Sequence, residues 1–304
     1  MCNVIWLFVF IINMVLSQES SLDLLQIVEK DEIDSFIKIY PTLEIDSPLD
    51  FIDSVTDLKA DKISQYILAN VSHKQISSTN SGLMMNKIEY YKNICSIALK
   101  YGYQINTHVI GDSAVRVMLD IYSCFLKGKN DLRWRIEHSQ VVSPDDISKY
   151  SEYSIVPSVN MLHATSDMYW AEKRLGKERI KFAYAYKKLL QQNGWLCNGS
   201  DFPVENINPL YGYYAAVARK DLNGYPPDGF QKENAITRIE ALKAMTIWAA
   251  RSFFEENEKG SIEPGKYADI VVLDKDIMTV PEKEIPTIKV LMTYVNGELV
   301  FSQK

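Results

Sequence analysis

Three side chains with metal-binding chemistry stand at the ends of successive apolar segments: His108, His138 and Asp201. His108 lies near the C-terminal end of the segment 103–110, His138 just past 132–137, and Asp201 just past 195–198. Imidazole and carboxylate together suit zinc and other first-row divalent ions. Such an ion lets water attack an otherwise inert carbonyl near neutral pH. Each residue alone has an ordinary explanation, as a buried histidine or a turn-capping aspartate. Only four histidines occur in the chain, and two fall at equivalent points. The shared placement therefore favours a common cation.

The elements that would position these groups alternate regularly. The spacing of Ile88, Tyr91, Ile94, Cys95, Ala98 and Leu99 predicts an amphipathic helix over 86–100, closed by Gly102. A strand over 103–110, a turn at Gly111-Asp112 and a helix over 114–125 follow, with Asp112 as N-cap. Further strands are expected at 132–137, 155–159 and 195–198, with helices starting at Ser143-Pro144 and spanning 179–192. Strands alternating with helices imply parallel βαβ units, whose chemistry gathers at the strand C-termini. Farther on, Thr237-Arg238-Ile239-Glu240 is a capping box opening a helix to Ala250, 268–273 reads as a strand, and Asn296-Gly297 turns a hairpin over 290–301.

Composition narrows the class. Among 304 residues, 47% are hydrophobic and 24% charged, and the net charge is −6, which fits a globular chain with no basic surplus for nucleic acid. Four cysteines without a CxxC pair make neither a disulfide framework nor a thiolate zinc site. Residues 4–16 form an apolar run broken only by Asn13. It is shorter than the roughly 17–25 residues that cross a bilayer and fits the core of a signal peptide over 1–17, although no Lys or Arg precedes it. Residues 18–80 are acidic and carry no assignable chemistry, apart from a glycosylation sequon at Asn70.

From about Ser81 to the C-terminus the chain resembles the metal-dependent amidohydrolase superfamily, specifically its amidohydrolase 3 (YtcJ-like) group. The resemblance is carried by Thr107-His108-Val109-Ile110-Gly111-Asp112-Ser113-Ala114, Arg133-Trp134-Arg135-Ile136-Glu137-His138-Ser139-Gln140 and Gly199-Ser200-Asp201-Phe202-Pro203-Val204-Glu205. The stretch from Gly260 to Asp274 is similar to the point where these enzymes leave the barrel for a small β-sandwich. The resemblance implies an α/β fold: an incomplete (β/α)8 TIM-type barrel, its C-terminal half, over 81–256, with a β-sandwich segment over 257–304. It implies His108, His138 and Asp201 as ligands of a divalent metal, with zinc the first choice. Asp201 would also be the catalytic proton shuttle, and His163 would face substrate. The implied activity is hydrolysis of non-peptide carbon–nitrogen bonds in an amide or cyclic amide.

The same group carries a His-x-His pair at its first barrel strand and a bridging ligand, often a modified Lys. This sequence has no His-x-His, and Lys59 and Lys62 lie in a charged, helix-like stretch. A βα unit takes about 30 residues, so the 80 residues before the matched region do not accommodate four units and the leading sandwich strands. The alternative function is therefore a truncated, non-catalytic amidohydrolase remnant. The expected partners are a small-molecule amide and, through an open sheet edge, a second copy of the chain (a homo-oligomer). No nucleic acid is expected, and membrane contact only through the signal. With a true signal the chain is exported, periplasmic or secreted; without one it is cytoplasmic. Of the neighbouring residues, Asp167 reads as a helix cap, Arg135 and Glu137 as structural ion pairs, Arg219 as a surface ion pair or a substrate contact, and Cys197 as core.

Overall fold

A computed structural model of the chain describes residues 84–303. The readings made at 1–17, at 18–80, at Asn70 and at Lys59 and Lys62 lie outside the described residues. Among the described residues no helix is long and apolar enough to cross a membrane.

Helices and strands alternate as α1 (Ile88–Tyr101), β1 (Asn106–Val109), α2 (Asp112–Leu126), β2 (Arg135–His138), α3 (Pro144–Glu152) and β3 (Val156–Val159). Then come α4 (His163–Ser166), α5 (Met168–Arg179), α6 (Tyr186–Asn193), β4 (Cys197–Asn198), α7 (Pro209–Ala218), α8 (Arg238–Met245) and α9 (Ile247–Ser252). The four strands form one parallel sheet in chain order, β1-β2-β3-β4. Consecutive parallel strands joined by helices put every strand C-terminus on one edge, where His108, His138 and the β4–α7 loop emerge.

Local rules account for most boundaries. Gly102 closes α1 in the left-handed region, with its N–H bonded to the Ala98 carbonyl. Val115, Met118, Leu119, Tyr122 and Leu126 form the buried stripe of α2. Asp112 does not cap that helix: Gly111 holds the cap position, and the Asp112 carboxylate accepts from the N–H of Ser113. Ser143 likewise makes no cap bond, because its hydroxyl accepts from Arg116 instead, while Pro144 opens α3 as expected. Cys197 is buried and packs with Val156 and Trp195.

Two expected helices are interrupted. In 179–192 the helix breaks because Ala183 forms a β-bridge with Val141 and Tyr184 takes a left-handed φ of 55°. The Tyr184 N–H then bonds the Gln140 carbonyl at 2.7 Å, so the chain past β2 takes the hydrogen bonds a helix would have used. The 237–250 helix bends at Thr246, whose φ −127° and ψ −99° separate α8 from α9. The capping box itself is present, with Thr237 and Glu240 each bonding the other's backbone. Thr237→Ala is expected to lower stability by about 1 kcal/mol, read as a shift of the urea midpoint at unchanged slope.

The C-terminal segment forms a separate antiparallel sheet of β5 (Ile270–Leu273), β6 (Val290–Val295) and β7 (Glu298–Ser302), in that order. Asn296 and Gly297 take φ 51° and 81°, the two positive values that a two-residue hairpin turn of this hand requires.

Candidate metal centre

His108 pairs in register with Glu137, and Val109 with His138. Residues of one parity on neighbouring strands share a face, so Arg135, Glu137 and His108 stand on one side of the sheet. By the same alternation His138 would share the opposite face with the fully buried Ile136. It does not, because His138 ends the strand with φ 69° and Ser139 follows with φ 44°. Two consecutive left-handed residues swing the imidazole across, so that its ring meets His108 edge-on at 4.5 Å between centroids. The His163 ring lies nearly parallel to it at 5.8 Å.

Asp201 follows β4, also with a left-handed backbone (φ 57°). Its Oδ2 lies 3.6 Å from His163 Nε2, too far for a hydrogen bond. One ligand atom each from His138, His163 and Asp201 lies within 4.8 Å of the other two. His138 Nδ1 and His163 Nε2 are buried without a hydrogen-bond partner. Buried polar atoms are nearly always satisfied, so two orphaned imidazole nitrogens beside a carboxylate fit a divalent cation. Of the residues expected from sequence, the structure brings His138, His163 and Asp201 into this trio. His108 stands against His138 as its ring neighbour.

The electrostatics suit cation uptake. Burial, reinforced by the neighbouring rings of His108 and His163, pushes His138 down to about 3, with the Asn160 side chain opposing. Burial and then His108 push His163 down to about 4. His108 is solvent-accessible at the strand end, yet the protein crowding its ring still lowers its pKa by desolvation. All three rings are thus held neutral, the form that ligates. Asp201 is pushed up to about 6 by burial and by the like charges of Glu137 and Glu205.

Other readings change. Arg135 and Glu137 do pair, at 2.9 Å. Asp167 makes no cap bond; its Oδ2 accepts from Tyr184 Oη at 2.8 Å and Gln140 Nε2 at 3.0 Å, and burial lifts it to about 6. Arg219 is neither a surface ion pair nor a substrate contact. It is 1% exposed and donates to the carbonyls of Phe230 and Tyr184 and to Gln231 Oε1. Sequence reasoning assigned no role to Glu205, whose Oε1 lies 3.9 Å from His163 Nε2 and accepts from the Ser166 hydroxyl. An acid four residues past Asp201 in an apolar stretch was the available signal.

A family model described as "Amidohydrolase family" matches residues 53–301. The chain is 36% identical over 228 residues to Protein LONG AFTER FAR-RED 3 of Arabidopsis thaliana, covering 73% of this chain and 38% of that protein. It is 27% identical over 209 residues to the N-substituted formamide deformylase of Arthrobacter pascens, covering 68% of this chain and 38% of the enzyme. The chain thus spans under half the length of these two relatives. Among solved structures, an uncharacterized metal-dependent hydrolase from Pyrococcus horikoshii superposes with a TM-score of 0.61 at 29% identity, over 68% of this chain and 41% of that one.

Proposed function

The chain belongs to the amidohydrolase family, and we propose that it carries the C-terminal half of a TIM-type barrel hydrolysing non-peptide C–N bonds. On this reading 81–256 is the partial barrel and 257–304 a β-sandwich segment. The observation that carries it is the convergence of His138, His163 and Asp201 within 4.8 Å. His138 and Asp201 would hold a divalent cation, zinc by its ligand chemistry, with His108 or His163 as the further imidazole. When bound, that cation supplies Lewis acidity toward an amide carbonyl and a water. Asp201 takes the proton of the attacking water and returns it to the leaving amine, a task its pKa of about 6 suits near neutrality. Where His108 is the further imidazole, His163, 3.6 Å from Asp201, is the ring left to orient the substrate oxygen. Small amides of the type named for the deformylase relative are the first substrates to try.

The absence of a His-x-His pair from the sequence favours a second reading, cation binding without turnover. The test is metal analysis by mass spectrometry together with hydrolysis of an N-substituted formamide by the zinc-loaded chain. About one zinc per chain with amine release supports the first reading. Zinc without amine release supports the second, and no zinc retention at any loading concentration removes both.

The pH dependence of cation binding follows from the shifts. Below pH 6 the folded chain protonates Asp201 while His138 and His163 remain neutral down to about 3 and 4 respectively. A cation must displace that one proton, so zinc or cobalt affinity is expected to fall about tenfold per pH unit between roughly pH 6 and 4. Asp201→Asn should bind more weakly but show a flat profile over that window. A titration series in buffered cobalt checks both; a slope of two protons per cation starting at pH 6.5 would assign the change to the imidazoles instead.

A further inference from the structure

The left-handed pair at His138 and Ser139 needs something to hold it, since each non-glycine residue there is sterically disfavoured. The Ser139 hydroxyl donates to the Ile136 carbonyl at 3.0 Å, and its oxygen lies 2.9 Å from the Tyr150 hydroxyl. A carbonyl only accepts, so Ser139 spends its single proton on Ile136, and Tyr150 must donate to Ser139. The Ser139 N–H bonds the Glu137 carbonyl at 2.9 Å, closing the turn. Ser139 is 1% exposed and Tyr150 not at all, so no solvent competes for these bonds. Tyr150 is a buried residue of α3, the helix that follows β2 in the chain.

We propose that the Tyr150–Ser139 hydroxyl relay is the latch that turns His138 from the helix side of the sheet to the His108 side. Tyr150 and Ser139 are then positioning residues for the cation seat. The consequence for metal rests on the reading under Proposed function; the turning of the ring does not. Without the relay, the strand returns to ordinary alternation and the imidazole leaves His108.

Another buried tyrosine supplies the control. Tyr122, on α2, places its hydroxyl 2.6 Å from Thr107 Oγ1 and donates to the Arg135 carbonyl at 3.2 Å. It is as buried as Tyr150 but has no bond to the His138 turn. Tyr122→Phe therefore removes an equivalent hydroxyl elsewhere on the same strands.

The experiment uses the full chain with Tyr150→Phe, Ser139→Ala, Ser139→Gly and Tyr122→Phe. Two quantities are read: the nuclear Overhauser effect between the His108 and His138 ring protons without metal, and cobalt affinity by visible absorption. The first three variants are expected to lose the Overhauser effect and bind cobalt about 10–100-fold more weakly, as loss of an outer support does. Tyr122→Phe should retain both. Ser139→Gly separates the relay from backbone strain, since glycine accepts a positive φ but has no hydroxyl. The proposal is overturned if Tyr150→Phe and Ser139→Gly keep the Overhauser effect, or if Tyr122→Phe loses it equally. If the unmodified chain binds no cobalt, the metal reading falls and the ring contact alone decides the relay.

Discussion

His138→Ala is expected to weaken zinc or cobalt binding by more than about 100-fold, since losing an outer support alone costs about 10–100-fold. His138 is the central ring of the site, in contact with His108 on one side and His163 on the other. Its Nδ1 is buried and unpartnered, so a cation is the partner whose loss the substitution reads out. Alanine also disfavours φ 69°, so His138→Gly is the companion variant: it accepts that backbone while lacking the ligand. Equal losses in both variants assign the effect to the imidazole. Unchanged affinity in His138→Gly would remove His138 from the site. Chelator competition measures both.

The outer rings then rank two ligand sets. The compact trio contains His163 and not His108. On that geometry His163→Ala is expected to cost more affinity than His108→Ala. The reverse order would seat the cation between His108 and His138 and leave His163 with the substrate, as the resemblance implies.

Much of this arrangement was legible in the chain, and the reasons differ by feature. Helix–strand alternation from residue 86 onward rests on local periodicity, and the capping box at Thr237 and the turn at Asn296-Gly297 rest on local backbone chemistry. All of these survive in the structure because nothing distant competes with them. The break in 179–192 was not legible, because its cause is a bridge to Val141, some forty residues away in the chain. Asp167 and Arg219 were misplaced for the same reason: their partners, Gln140 and the carbonyls of Tyr184 and Phe230, come together only in the fold. At the site, strand ends located His108, His138 and Asp201, but strand parity alone would have hidden His138 among the core residues beside Ile136. Its left-handed turn depends on a tyrosine from the next helix, and no motif records that.

Arg135→Ala is expected to destabilise the fold by about 3–5 kcal/mol, the usual cost of breaking a buried ion pair by removing one partner. The Arg135 side chain is 1% exposed. It bonds Glu137 at 2.9 Å and the Ser252 hydroxyl at 3.1 Å, and its guanidinium lies 4.4 Å from the centre of the Phe253 ring. Arg133, two residues earlier, grips the Arg251 carbonyl and Glu256, so both arginines tie β2 to the end of α9. Removing Arg135 strips a largely buried Glu137 of its counter-charge and unpins α9 together. Replacing both partners, Arg135→Met with Glu137→Leu, should recover most of the loss, because an apolar pair carries no desolvation penalty. Urea midpoints of the two single variants and the double one measure the coupling, and additive losses would mean that the pair does not act as a unit. The effect reaches the site as well. Glu137 already raises Asp201, and without its arginine its field acts on Asp201 at full strength. The single variant should therefore shift the pH dependence of cation binding to higher pH, whereas the double variant, lacking Glu137, should shift it lower. Opposite shifts from one strand position would tie the structural pair to the proton that cation binding displaces.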